Sequence, residues 1–133
     1  MSACNSILVE ISPGELIDKL TILEIKSERI TDAAKLANVR RELKSLRDCS
    51  TRFLEPSTGL EKLASCLRSM NERLWEIEDK LRDCERRRDF GPQFVELARS
   101  VYRNNDERAA LKRCINELFG SLLLEEKSYS RYD

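Results

Sequence analysis

Residues 60–84 read LEKLASCLRSMNERLWEIEDKLRDC. Within them Leu60, Leu63, Leu67, Met70, Leu74, Ile77, Leu81 and Cys84 alternate three and four apart without a miss. That spacing is a heptad seam, an α-helix with a narrow apolar stripe that needs a neighbour. The helix is expected from about Leu60 to Asp89, with a length of about 45 Å at 1.5 Å per residue.

Toward the N-terminus the seam is bounded by Glu55-Pro56-Ser57-Thr58-Gly59, the clearest break in the chain. Before it, Leu36, Val39, Leu43, Leu46, Ser50 and Phe53 repeat the same spacing with one polar member. They define a second helix that starts from a cap at Thr31 or Asp32 and ends near Leu54. A link this short predicts antiparallel neighbours, a coiled-coil-like hairpin of helices 2 and 3. Further back, Ser12-Pro13-Gly14-Glu15 is a strong helix start. Ser12 suits the cap, Pro13 the first helical position, and Glu15 completes a capping box. Helix 1 then runs to about Ile30. Leu16, Leu20, Leu23 and Ile30 form one stripe, while Ile22 and Ile25 point elsewhere. A helix apolar on several sides is buried on several sides, so helix 1 should sit centrally or carry a subunit interface. Ahead of it, Ile7-Leu8-Val9-Glu10-Ile11 is a short β-like run. A lone strand leaves backbone groups unpaired, which leaves three fates open: pairing with another terminus, pairing with a second subunit, or lying extended.

Toward the C-terminus, Phe90-Gly91-Pro92 is the second break, and helix 4 starts with Pro92 in its first turn. It either continues to Phe119 or pauses at Asn104-Asn105-Asp106, and Gly120-Ser121 ends it. The fold class is all-α: one domain over residues 1–133, an antiparallel up-and-down bundle of about four long helices with a short extended N-terminal segment.

Composition bounds the function. Lys plus Arg is 24, Asp plus Glu is 24, and there is no histidine. Balanced charge supplies no global field toward nucleic acid or an anionic membrane. The single basic run, Arg86-Arg87-Arg88, is flanked by Asp83, Glu85 and Asp89 and reads as a solvated helix end. Without histidine, His-dependent triads and His metal sites are excluded. Five widely spaced cysteines, at 4, 49, 66, 84 and 114, contain no CxxC, which argues against a disulfide framework or a zinc site. Cys66 and Cys84 read as small buried hydrophobes. No metal and no cofactor is expected. The first ten residues lack the basic and apolar regions of a signal peptide, and no stretch approaches the roughly 20 apolar residues of a membrane span. A cytoplasmic protein without nucleic-acid or membrane partners is the expectation.

Some polar residues stand where apolar ones belong. On helix 1, Glu24 falls between Leu20 and Ile17, and Asp18 between Ile25 and Ile22. On helix 4 the seam Phe90, Phe94, Leu97, Val101, Asn104, Arg108, Leu111, Ile115, Leu118 and Leu122 is interrupted by Asn104 and Arg108. A carboxylate in an apolar stripe must be paired or shift its pKa, and an arginine offers a planar fork of donors. Asp18, Glu24, Asn104 and Arg108 are therefore the candidate buried polar or ligand-binding cluster, with Arg108 and Asn104 meeting Glu24. Three readings are open: an ion pair that fixes register, a pocket for a small anionic ligand clamped by Arg108, or a helix break that exposes all three of these groups. Trp75, off its helix's seam, is expected to cover another helix or a subunit contact. The tail from Glu125, with Tyr129 and Tyr132, is expected either to fray or to dock its tyrosines.

Residues 11–26, ISPGELIDKLTILEIK, and 98–112, ARSVYRNNDERAALK, continuing to the Glu-Glu-Lys-Ser-Tyr tail, together with the middle of the chain resemble a family of short all-helical bacterial proteins of unknown function. That resemblance implies no activity. Glu15-Leu-Ile-Asp18 and Glu76-Ile-Glu-Asp79 are weakly similar to the ExxD pair of MazG-type pyrophosphohydrolases. The companion ExxE pair, which completes their Mg²⁺ site, is absent. Gly14-Glu-Leu-Ile-Asp-Lys-Leu20 is loosely similar to helical chorismate mutases, which bind a dicarboxylate between long helices. Two functions are carried forward. The first is a non-enzymatic interaction or assembly module, a homo-oligomer. The second is a bundle that binds or turns over a small anionic ligand between helices 1 and 4.

Overall fold

The computed structural model describes residues 5–121 and 123–133. Cys4, the first residues of the chain and Leu122, the last position of the helix 4 seam, lie outside the described residues. Four helices follow in order: α1 (Pro13–Arg29), α2 (Ala33–Phe53), α3 (Thr58–Arg86) and α4 (Pro92–Leu118). No strand forms among the described residues.

The helix starts follow local chemistry. Ser12 Oγ accepts from the Glu15 amide at 3.1 Å, Asp32 Oδ2 from Lys35 at 2.9 Å, and Ser57 Oγ from Leu60 at 3.0 Å. Each cap satisfies a donor that the first turn leaves free. Asp32, not Thr31, caps α2. Ser57 starts α3 two residues earlier than the apolar seam does. The end of α3 also comes earlier than expected, because Arg88 takes a left-handed φ of 55° and the Asp89 amide closes back on the Cys84 carbonyl at 2.9 Å. Gly120, at φ 63°, ends α4 in the same way, with Ser121 N reaching Asn116 O at 2.9 Å. Between its ends α4 is continuous through Asn104–Asp106.

The core is organised around α1, which packs against α2, α3 and α4, while α3 also packs against α4. Leu16, Ile17, Leu20, Leu23 and Ile25 are all buried, so α1 is central, as its many-sided apolar pattern requires. Leu43, Leu54, Leu67 and Ile115 join the same core from the other helices. The α3 seam is the inward face, with Leu67, Met70 and Cys84 buried.

The coiled-coil pairing of α2 with α3 is corrected: the close helix neighbour of α2 is α1. A narrow apolar stripe specifies that a helix must pack, not on what. Helix α1 offers apolar surface on several sides and therefore takes the stripes of both helices. Trp75 is half-buried on α3, with the Arg29 guanidinium of α1 5.8 Å from its ring centre, a cation–π contact across two helices. Among the described residues no helix is long and apolar enough to cross a membrane.

Candidate functional site

Asp18 is 1% exposed, on the face of α1 that turns toward α3 and α4. Its carboxylate receives both arms of the Arg108 guanidinium, Nε to Oδ1 at 2.9 Å and Nη2 to Oδ2 at 2.6 Å. Asn71 Nδ2 of α3 donates to the same Oδ1 at 2.9 Å and to Thr21 Oγ1 at 2.9 Å. Thr21 Oγ1 in turn donates to the Asp18 backbone carbonyl at 2.8 Å. One carboxylate thus ties three helices together. Bidentate arginine pairing of this kind combines charge with fixed geometry.

One turn toward the start of α1, the approach of α4 becomes very close. Gly14 N donates to Asn116 Oδ1 at 2.7 Å, so a free first-turn amide is satisfied by the neighbouring helix. A Cβ at Gly14 would lie 2.3 Å from the Lys112 carbonyl oxygen. Glycine is the residue that permits this distance. Here the capping box is only half formed: Glu15 sends its carboxylate to Lys112 Nζ at 2.8 Å. Lys112, 7% exposed, also meets Glu125 at 3.0 Å. Successive contacts of residues 14, 15 and 18 with 116, 112 and 108 run in opposite directions along α1 and α4.

Glu125 belongs to the tail, which docks. Arg113 pairs with Glu126 at 3.5 Å. The Tyr132 ring stands 5.1 Å from Tyr102 in an edge contact. Tyr129 stays exposed. Only one of the two tyrosines therefore docks, and the tail runs back along α4 toward its start.

The electrostatics follow from these contacts. Burial pushes the Asp18 carboxyl up, but hydrogen bonds from Arg108 and Asn71 and the charges of Arg108 and Lys112 outweigh it and hold the group below the usual carboxylate value. For Lys112, burial favours the neutral amine, yet Glu15 and Glu125 raise it above its ordinary value. Arg108 is likewise raised, first by its hydrogen bonds to Asp18. Among the described residues no buried side-chain nitrogen or oxygen lacks a partner.

Of the four residues singled out by the seams, two meet. Arg108 pairs with Asp18, and the expected partnership of Arg108 with Glu24 is corrected. Glu24 faces α3 and accepts from Arg68 at 2.9 Å. Asn104 folds back onto its own helix, donating to the Ser100 carbonyl at 2.7 Å. The error has a physical source: a 100° rotation places two acids on α1 but does not say which neighbour each one faces. Four members of the cluster were missed, Thr21, Asn71, Lys112 and Asn116. A signal was present, since Arg108, Lys112 and Asn116 recur every fourth residue, the ridge that packs in many helix pairs. Of the cysteines, Cys84 is buried as expected, but Cys66 is exposed, as is Cys114, and Cys49 is half-buried. Cys66 sits one residue before Leu67 and so turns away from the seam.

A helical bundle with an internally saturated ionic cluster is the class this geometry defines. The chain belongs to a family of unknown function, DUF6165, whose model matches residues 7–132. No curated protein and no solved structure matches it, so the looser likenesses to MazG-type enzymes and chorismate mutases have no relative to support them.

Proposed function

We propose that the chain is a non-enzymatic interaction module of the cytoplasm that self-associates through its N-terminal arm. The observation that carries this reading is the exposure of that arm: Ile7 is 87% exposed, Leu8 95% and Val9 71%. Three adjacent aliphatic side chains with no cover among the described residues are a poor match to water and a good match to a second apolar surface. Light scattering at micromolar concentration should give a dimer or larger species. Leu8→Asp should weaken self-association at least about tenfold, the loss of one anchor side chain. A strictly monomeric wild-type protein would sink the reading.

The second reading, a small anionic ligand held by Asp18, Glu24, Asn104 and Arg108, has less support. The Arg108 fork is taken by Asp18, and Glu24 and Asn104 are engaged elsewhere. A thermal-shift series with Mg²⁺, nucleotides and small carboxylates tests it, since a ligand of the native state raises the melting temperature by mass action.

A further inference from the structure

The tail of the chain lies on α4 as a peptide ligand lies on a receptor. Residues 123–133 form no regular secondary structure. They are attached at two separated points. At one, Glu125 and Glu126 meet Lys112 and Arg113 at 3.0 and 3.5 Å. At the other, Tyr132 rests its ring against Tyr102. Between α4 and the tail is an open groove of about 520 Å³, lined by Tyr102 and Asp106 from the helix and by Lys127, Tyr129, Arg131 and Tyr132 from the tail. That is within the range of about 300–1,000 Å³ typical of clefts that hold discrete ligands. The tail bridges this cleft and touches α4 through charge pairs, one aromatic edge and a hydrogen bond between Tyr132 and Asp106.

The surface beneath the tail is specific. Lys112 and Arg113 are adjacent cations near one end, and Tyr102 is an aromatic platform ten positions earlier on α4. Lys112 is also fixed in place from behind, because Glu15 of α1 holds its ammonium at 2.8 Å. The resident segment shows what fits: two successive carboxylates followed, six positions after the second, by a tyrosine.

We propose that this face of α4 is a receptor for acidic, tyrosine-bearing peptide segments, and that the chain's own tail is its resident, autoinhibitory occupant. A partner segment with a Glu-Glu pair and a following tyrosine takes the tail's place on Lys112, Arg113 and Tyr102. The tail, being tethered, competes at an effective concentration of roughly millimolar order, so weak partners are excluded until it lifts. The inference rests on the reading of the chain as an interaction module, but on a surface separate from the N-terminal arm.

The test uses the full chain. A labelled peptide spanning residues 121–133 is titrated into wild type and into the variant Glu125→Lys/Glu126→Lys/Tyr132→Ala, whose tail is repelled from α4, with binding read by fluorescence anisotropy. The peptide should bind the variant at least about tenfold more tightly than wild type, because tethered competition is removed. Adding Tyr102→Ala, an exposed position, should abolish that gain, and a peptide with Gln at 125 and 126 should fail to bind. Equal binding to wild type and variant, or binding that ignores Tyr102→Ala or the peptide's charges, overturns the proposal. Leu8→Asp in the arm should leave peptide binding unchanged. Self-association and peptide capture therefore fail separately.

Discussion

Two arginines grip carboxylates on different sides of α1, and the protein uses them differently. Arg108 holds one acid, Asp18, with two bonds, and the acid is 1% exposed. Arg68 holds three acids, Glu24 at 2.9 Å, Glu28 at 2.5 Å and Glu72 at 2.9 Å, all in contact with solvent. By number of contacts the second cluster is the richer. By burial the first is the keystone. Water screens the Arg68 group and would replace any partner that is removed. Around Asp18 the replacement would come only from the half-exposed side of Arg108. Removing one partner of a buried pair leaves a charge without solvation, and that, more than the attraction itself, sets the cost.

The comparison can be broken by substitution. Asp18→Ala should have the largest effect, about 3 kcal/mol lost in denaturant unfolding, the low end for a broken buried pair because Arg108 keeps some access to water. The same residue gives the pH dependence. Its folded-state pKa lies below the unfolded value of about 3.9, so its contribution is complete above that value and is lost as pH falls through the folded one. Wild type should lose stability below about pH 4, and Asp18→Asn should flatten that limb; an unchanged acid limb would show that the pair is not what titrates. Gly14→Ala should come next, at about 1–3 kcal/mol. Its Cβ meets the Lys112 backbone, not a flexible side chain, so α1 must shift away from α4. Arg68→Ala should be the smallest, under about 1 kcal/mol in total, and smaller still in high salt. An Arg68 effect as large as that of Asp18 would remove the distinction between the two clusters.

The same division explains how far the chain was legible. Helix starts rest on neighbours three residues apart, and that of Ser12 with Glu15 could be read directly, while the cap of Ser57 on Leu60 was hidden inside a stretch that reads as a break. The α3 seam could also be read, because its eight positions repeat on one helix. Asp18 and Arg108 were visible as polar residues in apolar stripes. Their partnership was not, because Asp18 and Glu24 look alike along α1 until the positions of α3 and α4 are known. Lys112 was hidden because a lysine one residue beyond a seam ordinarily reaches water. Here α1 and the tail close over it from both sides.

The chain's own order of residues therefore determined four helices, the Ser12 cap of the first, their inward stripes and the many-sided character of α1. All of these are set by interactions within a few residues of each other. Tertiary structure decided that α2 packs on α1 and not on α3, which acid Arg108 takes, and where the tail lies. Those outcomes depend on surfaces from three helices competing for the same space, and no single helix carries that information.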